Sequence, residues 1–310
     1  MRILVTGGAG YIGSVLTQEL LSLGHQICVV DNFMYRQTSI AHLVRHPRFE
    51  LEIGDVRDEI LMKKLLIKSD LIIPLAAIVG APACEKDPIT AKSINHDSVL
   101  WLISQLSKEQ RVIMPTTNSA YGSGDLNNLC DEESPLNPLS LYARDKVIVE
   151  KQLMEHPNAT SFRLATVFGI SPRMRLDLLV NNFTFRALTD KFLVIFEGHF
   201  KRNYIHLTDV VQAFNLAIDA PANFRGEIFN VGLSSANISK LELCAEIQKF
   251  LPDFVFSEEA FGKDPDQRNY IVSNKKIEKS GFKPQISLNA GIQELIKGLG
   301  MFNQHPFTNI

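Results

Sequence analysis

The sequence predicts an α/β protein with a doubly wound parallel sheet and a smaller C-terminal lobe. The first half of its 310 residues alternates short β-branched or apolar runs with longer amphipathic stretches, which is the pattern of βαβ units. Strands are predicted at 2–6, 26–30, 49–53, 71–75, 111–114 and 160–164. Helices are predicted between them at 12–23, 60–68, 89–108 and 142–155. Six strands in this order complete one dinucleotide-binding sheet.

The pattern becomes less regular after Ser171, where prolines are frequent and the candidate elements are shorter. We therefore predict a first domain over 1–172 and a smaller lobe over 173–310, with part of 203–232 packing back onto the first domain. Within 173–310, helices are predicted at 178–189, 207–220, 239–251 and 288–300, and strands at 203–206 and 227–231.

The composition is that of a globular enzyme that acts on small molecules. Charged residues make up 21% of the chain and the net charge is −2, so the basic field that nucleic-acid binding needs is missing. No apolar run is long enough for a membrane helix, and residues 1–5 lack the features of a signal peptide, so we expect a cytoplasmic protein. The four cysteines lie far apart, which favours reduced thiols over disulfides or a metal site.

A glycine motif follows the first predicted strand. Gly8, Gly10 and Gly13 form G-x-G-x-x-G directly before a predicted helix, where the backbone can approach a diphosphate at the positive end of that helix. Asp31 ends the second predicted strand, at the position where a carboxylate binds the adenosine ribose hydroxyls and repels a 2′-phosphate. These residues predict a Rossmann-type domain that binds NAD in preference to NADP.

The third predicted strand leads into Gly54, Asp55 and Val56, a suitable place for contacts to adenine. Asp55 has a second reading, in which its carboxylate caps the following helix. Both readings stay open at this point.

A second set of polar residues surrounds the end of the fifth predicted strand. Tyr142 and Lys146 lie one helical turn apart, and the hydroxyl-rich segment 115–122 precedes them. Active-site groups of open α/β sheets gather at the carboxyl ends of the strands. We therefore predict a catalytic tyrosine and lysine at this edge of the sheet.

The segment 6–13, the loop ending in Tyr121 and Gly122, and the Y-x-x-x-K pair together resemble the extended short-chain dehydrogenase/reductase family. That family includes NAD-dependent nucleotide-sugar epimerases and dehydratases, and the resemblance runs over essentially the whole chain. Segments 73–82, 162–169 and 171–177 are similar to the GDP-heptose 4-dehydrogenases of bacterial capsule biosynthesis.

The resemblance implies roles for individual residues. Tyr142 is the general base, Lys146 supplies positive charge that makes its phenolate accessible, and Thr117 orients the sugar hydroxyl. For Asn95 a purely structural role stays equally open. The implied cofactor contacts are Gly7, Gly10, Tyr11, Ile12, Gly13, Asp31, Asn32, Asp55, Val56, Leu75, Ala76, Ala77, Asn95, Tyr142 and Lys146.

The substrate implied by the resemblance is a nucleotide-diphosphate sugar, whose charges suit arginine side chains. Arg173 and Arg175 reach the sugar or diphosphate, or lie on a solvated surface. His206 is interpreted as a packed strand residue. The implied substrate contacts are Asn118, Ser119, Arg173, Arg175, Asn181, Arg202 and Arg268. The family also implies a homodimer formed through helices 89–108 and 142–155.

Three outcomes compete for the reaction. The chain oxidises C4 of the sugar and releases the 4-keto product, or it reduces that intermediate again and acts as a 4-epimerase. A 4,6-dehydratase is disfavoured because Asn118 and Ser119 stand where those enzymes carry an acidic pair, although Asp125 or Asp177 could reach the same space. A non-catalytic NAD sensor is disfavoured by the intact Thr117, Tyr142 and Lys146.

Overall fold

The structure is a computed structural model that describes residues 1–123, 129–259 and 268–302. The strands are β1 (Arg2–Thr6), β2 (Gln26–Asp31), β3 (Phe49–Ile53), β4 (Leu71–Pro74), β5 (Arg111–Thr117), β6 (Ala159–Leu164), β7 (Thr166–Phe168), β8 (Phe192–Phe196), β9 (Lys201–His206), β10 (Glu227–Val231), β11 (Asn237–Ser239) and β12 (Val255–Glu259). The helices are α1 (Tyr11–Ser22), α2 (Glu59–Leu66), α3 (Ala81–Lys86), α4 (Pro88–Lys92), α5 (Ser98–Ser104), α6 (Leu141–Leu153), α7 (Leu179–Thr189), α8 (Leu207–Asp219), α9 (Lys240–Gln248), α10 (Lys275–Lys279) and α11 (Leu288–Leu299).

The main sheet has seven strands in the order β10-β6-β5-β4-β1-β2-β3, and its adjacent strands run parallel. Its central strands are apolar and buried because helices cover both faces of a parallel sheet. The strand order reverses beside β1, which opens a crevice at the carboxyl ends of β1 and β4. The predicted doubly wound fold is confirmed.

The segment after β9 returns to the main sheet. Helix α8 packs against α1, and β10 adds to the outer edge of β6. Four phenylalanine rings fill the space that this return encloses, with the Phe162 ring at its centre and edge-on to Phe214 at 5.3 Å. The predicted division of the chain near residue 172 stays a prediction.

Within the described residues, two small sheets lie outside the main one. The first has the order β11-β9-β7, and the second pairs β8 with β12 in parallel. Helices α7, α9 and α11 pack against one another. The pairing of β8 with β12 was not predicted, because neither run alternates clearly enough to be read from the sequence.

The helix predicted over 89–108 is present, but it ends at Ser104 and its middle is π-helical. The chain forms α4, a π-helical turn over Ser93–Asp97 and then α5, which ends at Ser104. Pro88 begins α4 and Asp87 caps it, accepting a hydrogen bond from Thr90 N–H at 3.0 Å. The preceding α3 was not predicted because it has only six residues.

The four cysteine side chains are buried and none is bonded to another. Among the described residues, no helix has the length and apolar character needed to cross a bilayer.

Candidate active site

The turn between β1 and α1 is closely packed. Gly7 has a φ of +69°, and a Cβ atom there would lie 2.6 Å from the backbone nitrogen of Ala76. A Cβ at Gly13 would lie 2.4 Å from the carbonyl oxygen of Gly7. Only glycine fits these two positions, so the turn brings bare backbone to the crevice beside β4.

The amino end of α1 faces this turn. Helix α1 begins at Tyr11, and in the described chain no side chain caps it. Its first N–H groups and its dipole therefore suit an anion such as a diphosphate. The predicted contacts Tyr11, Ile12 and Gly13 form its first turn.

A cleft of about 560 Å³ opens beside the turn. Nine of the predicted cofactor residues line it, namely Gly7, Gly10, Asp31, Asn32, Asp55, Val56, Leu75, Ala76 and Ala77. The close glycine turn, the uncapped helix and the buried carboxylate in one cleft fit a dinucleotide. The predicted residue contacts themselves stay predictions.

Asp31 is buried at the end of β2 and held in one orientation. Its Oδ2 accepts a hydrogen bond from Ala9 N–H at 3.0 Å, and its Oδ1 accepts one from Phe33 N–H at 2.9 Å. Burial raises the pKa of this carboxyl group, and the two backbone hydrogen bonds oppose that shift. The side chain therefore links the glycine turn to the loop after β2.

Asp55 is paired with Arg57. The guanidinium donates from Nε to Oδ1 at 2.8 Å, which lowers the pKa of Asp55 to about 2. Asn32 donates to its other oxygen at 3.0 Å. The alternative reading of Asp55 as a helix cap is wrong, because Asp58 caps α2 by accepting from Leu61 N–H.

Asn95 lies in the π-helical turn and is fully buried. Its Oδ1 accepts from Ile78 N–H and its Nδ2 donates to the Ile78 carbonyl, each at 2.8 Å. It therefore fixes the backbone just after Ala77, as the structural reading requires. A direct contact to the cofactor stays a prediction.

Tyr142 and Lys146 lie together on α6, whose amino end is capped by Ser140. The Nζ of Lys146 is 6.0 Å from the centre of the Tyr142 ring. Burial raises the pKa of Tyr142 to about 12, although the charges of Arg175 and Arg268 oppose it. The nearby positive charges favour the phenolate, but in the chain by itself burial outweighs them. The role of Lys146 in making the phenolate accessible stays a prediction.

Burial acts on Lys146 in the opposite direction. It lowers the pKa of the ammonium group to about 8, while Cys84 and Asp145 partly offset the effect. The lysine thus titrates close to neutral pH, in the range where a proton-transfer group is useful.

Thr117 ends β5 and forms a tight turn with Ser119. Its Oγ1 donates to the Ser119 hydroxyl at 2.8 Å and accepts from the Ser119 N–H at 3.0 Å. The Arg268 guanidinium also donates to the Ser119 hydroxyl. Asn118, which lies between Thr117 and Ser119 in the sequence, is buried. Neither end of its amide has a hydrogen-bond partner in the described chain. Helix α6 packs on this turn. The structure therefore brings together four predicted site residues beside α6, namely Thr117, Asn118, Ser119 and Arg268.

Two predicted arginines are buried rather than solvated. Arg173 stacks on the Tyr35 ring, and Arg175 donates from Nε to Asp177 at 3.1 Å. The surface reading of both arginines is wrong. Asp177, one of the two alternative acid–base groups, is held in this pair, and Asp125 lies outside the described residues.

Arg202 is buried in β9, with its guanidinium 5.8 Å from the centre of the Tyr270 ring. Its Nη1 donates to the Lys201 carbonyl at 3.0 Å. Tyr270 N–H also donates to the Lys201 carbonyl at 3.3 Å, so the residues that follow Arg268 pack beside β9, far from it in the sequence but close in space.

Asn181 is fully buried in α7. Its Nδ2 donates to the Tyr11 hydroxyl at 3.2 Å and to the Arg175 carbonyl at 3.0 Å, and its Oδ1 accepts from Gly169 N–H. Both ends of the amide are engaged within the protein. Its predicted phosphate contact stays a prediction, and the observed bonds join α1 to the segment that carries Arg175.

His206 packs edge-on against Phe168, as predicted for a strand histidine. Its Nδ1 accepts from Thr208 N–H at 3.3 Å, which caps α8. The other ring nitrogen lies 3.3 Å from a carboxylate oxygen of Glu294.

Cys84 was missed by the sequence reasoning. It is buried on α3 and packs with Ile78 and Tyr142. Burial raises the pKa of its thiol to about 11, so the side chain is neutral near pH 7. No motif marks it, since its nearness to Tyr142 depends on the fold of the unpredicted α3.

The profile of the NAD dependent epimerase/dehydratase family matches residues 3–232. The match covers well over half of the chain, so the protein belongs to this family. Membership of an NAD-dependent family confirms the cofactor prediction and the coarse class of enzyme.

The chain is also similar to individual members. It is 26% identical over 325 residues to UDP-glucuronic acid decarboxylase 1 of Danio rerio, covering 99% of this chain and 75% of that protein. It is 26% identical over 309 residues to a putative UDP-glucose 4-epimerase of Methanocaldococcus jannaschii, covering 95% of this chain and 97% of the other.

Solved structures give the same result for the fold. The UDP-glucuronic acid 4-epimerase of Bacillus cereus, in complex with UDP-glucuronic acid and NAD, superposes with a TM-score of 0.85 at 24% identity, covering 97% of this chain and all of that one. The UDP-glucose 4-epimerase of Thermotoga maritima, with UDP-glucose, has a TM-score of 0.84 at 25% identity, covering 98% and 100% of the two chains.

Proposed function

We propose that the protein oxidises C4 of a sugar carried on a nucleoside diphosphate and gives a 4-keto sugar as product or as intermediate. The observation that supports this most is the placement of Tyr142 and Lys146 on α6, packed on the Thr117 turn at the carboxyl end of β5. In this reaction bound NAD supplies the acceptor for the hydrogen that leaves the carbon.

Tyr142 takes the hydroxyl proton in the proposed mechanism. A phenol with a pKa of about 12 is a poor base at neutral pH, so its phenolate must be stabilised when the site is filled. The ammonium group of Lys146 lies 6.0 Å from the Tyr142 ring centre, one helical turn away on α6. The hydroxyl pair of Thr117 and Ser119 holds the substrate oxygen in the orientation for proton transfer.

The diphosphate is proposed to lie near Arg175, Arg202 and Arg268. Buried guanidinium groups suit phosphate oxygens because their planar donors bind two oxygens at once. The names of the four relatives described above favour a UDP-sugar, and three of them favour a 4-epimerase. The GDP-heptose substrate, and with it capsule biosynthesis, has no support from these relatives and stays a prediction.

Dehydration is not part of the proposal. Asn118 and Ser119 do not titrate near neutral pH, so neither replaces the acid and the base that loss of water from C5 and C6 requires. The oxygen at C6 is therefore retained in the product. A homodimer is proposed on the family resemblance, and the cytoplasmic location stays an expectation from the sequence.

The experiment is incubation of the NAD-loaded protein with a panel of UDP-, GDP-, dTDP- and CDP-sugars, analysed by mass spectrometry and NMR. A product that has lost two hydrogens, or a product of unchanged mass with inverted C4, agrees with the proposal. Loss of carbon dioxide from UDP-glucuronic acid also requires C4 oxidation and selects the decarboxylase outcome. Loss of water, or no turnover of any sugar in the panel, contradicts the proposal.

A further inference from the structure

Tyr35 lies on the loop after β2 and lines the cofactor cleft. The loop makes a tight turn in which Arg36 N–H donates to the Phe33 carbonyl at 2.8 Å. Phe33 has a φ of 51° and Arg36 a φ of 52°, left-handed conformations that persist only where surrounding contacts impose them. Asp31 supplies such contacts, because its Oδ1 accepts from Phe33 N–H. These hydrogen bonds hold the backbone on both sides of Tyr35 in one conformation.

Arg173 lies in a different part of the chain, in the segment between β7 and α7. Its backbone N–H donates to the Ser171 hydroxyl at 3.2 Å, and that hydroxyl donates to the Tyr11 carbonyl at 2.8 Å. Its guanidinium donates from Nη1 to the Met174 carbonyl at 2.7 Å. The arginine is thus fixed to the first turn of α1, close to where a diphosphate fits.

The Arg173 guanidinium lies over the Tyr35 ring. The guanidinium carbon of Arg173 lies 4.8 Å from the centre of the Tyr35 ring, within cation–π range. Burial lowers the pKa of Arg173, and the negative charge of Asp31 acts against that shift. Burial raises the pKa of Tyr35, with Arg175 and, on α3, Cys84 also acting on it.

We infer that Tyr35 and Arg173 form a clasp across the cofactor cleft that slows the exchange of NAD(H) with solution. The clasp is the stacked Tyr35 ring and Arg173 guanidinium. A cofactor that passes between the glycine turn and this pair leaves only when the stack opens. If C4 is oxidised as proposed above, slow exchange keeps the reduced cofactor beside the keto sugar, which favours its reduction and the epimerase outcome over release of NADH.

The test is the dissociation rate of NADH from the purified protein, followed by NADH fluorescence during a chase with excess NAD. Tyr35→Ala removes the ring, and it is expected to speed dissociation by about 5- to 30-fold, the factor that loss of a cation–π contact gives. Tyr35→Phe keeps a ring face for the guanidinium and is expected to stay within about twofold of the parent. Arg173→Gln is expected to match Tyr35→Ala.

A double variant separates the clasp from two independent effects. If the residues act through their mutual contact, Tyr35→Ala combined with Arg173→Gln dissociates no faster than either single variant. Arg45→Gln, a change at an exposed arginine that does not line the cleft, controls for the loss of positive charge. Thermal unfolding of each variant shows whether the fold is intact.

Parent-like dissociation in Tyr35→Ala, or additive effects in the double variant, would overturn the inference. Equal acceleration in Tyr35→Phe would assign the effect to the hydroxyl group and would also overturn it. The chase needs no sugar, so its outcome is independent of the proposed reaction. With a sugar that turns over, Tyr35→Ala is further expected to release more keto sugar relative to epimer than Tyr35→Phe does.

Discussion

Arg163 in β6 donates from Nη2 to the Glu150 carboxylate in α6 at 2.7 Å, and both side chains are buried. Glu150 follows Lys146 by one helical turn, so the pair of Arg163 and Glu150 fixes α6 on the sheet. The second carboxylate oxygen accepts hydrogen bonds from the hydroxyls of Thr116 at 2.7 Å and Ser161 at 2.6 Å. Thr116 directly precedes Thr117, so one carboxylate orients both halves of the proposed site.

The same arginine continues the network toward the substrate side. Its Nη1 donates to the Tyr121 hydroxyl at 3.1 Å, and that hydroxyl donates to the Asn230 side chain at 2.7 Å. The Tyr121 ring packs edge-on against Tyr270, two residues after Arg268. The position of Arg268 is thereby tied to the position of α6.

Glu150→Gln is expected to lower the free energy of unfolding by about 3–5 kcal/mol, because it leaves the buried Arg163 charge without its partner. Urea denaturation measures this. Glu246→Gln is the control, since its pair with Lys249 is partly exposed and is expected to contribute less than about 1 kcal/mol. Equal losses of unfolding free energy in Glu150→Gln and Glu246→Gln would contradict the stabilising role assigned to the buried pair of Glu150 and Arg163.

The pH dependence of stability tests the environment of Lys146. Its pKa in the folded chain is about 8, below the ordinary lysine value of 10.5. Between these pH values the unfolded chain binds the proton and the folded chain does not, so stability contributed by this group rises with pH. Urea denaturation across this range should show the rise in the parent and its absence in Lys146→Met. If the free energy of unfolding changed with pH in the same way in the parent and in Lys146→Met, the buried environment of Lys146 would be refuted.

Asp31 is expected to set the preference for NAD. Its carboxylate repels a 2′-phosphate, so calorimetry should show NAD bound at least about tenfold more tightly than NADP. Asp31→Ser should reduce this ratio mainly by weakening NAD. Because Asp31 also holds the Phe33 turn, Gln37→Ala is the control for the loss of one of its hydrogen bonds. Equal binding of both cofactors by the parent would contradict the prediction.

Helices α4 and α6 carry exposed apolar side chains, namely Ile89, which is 83% exposed, and Ile148, which is 51% exposed. We expect a homodimer through this face, seen as twice the monomer mass in sedimentation at micromolar protein. Ile148→Asp should give monomers, because it places a charge in the buried interface. Ile60→Asp is the matched control on α2, where Ile60 is 87% exposed. A monomeric parent would exclude the predicted assembly.

The sequence predicted the parts of this fold that depend on local periodicity and on glycine sterics. The order of βαβ units, the turn at Gly7 and the one-turn spacing of Tyr142 and Lys146 are of this kind. The π-helical turn around Asn95 was not predicted, and the Ile78 backbone to which Asn95 is hydrogen-bonded lies 17 residues away in the sequence.

The electrostatics of the site also escaped prediction. Spacing placed Lys146 beside Tyr142, but the sequence could not show that burial outweighs the nearby charges and keeps the phenol protonated. The stacking of Arg173 on Tyr35 was also not predicted, because these residues are far apart in the sequence and only the fold brings them into contact.

Tyr142→Phe tests the central claim most directly. The variant keeps the ring and its packing, so it should retain the fold and bound NAD. Removal of a positioned acid–base group typically costs about 10²–10⁴ in rate, so turnover of the sugar identified in the panel should fall by at least about 100-fold. The measurement is kcat by NMR for the parent and the variant at equal NAD content. A variant that turns over the sugar at nearly the parent rate would contradict the assignment of Tyr142 as the base.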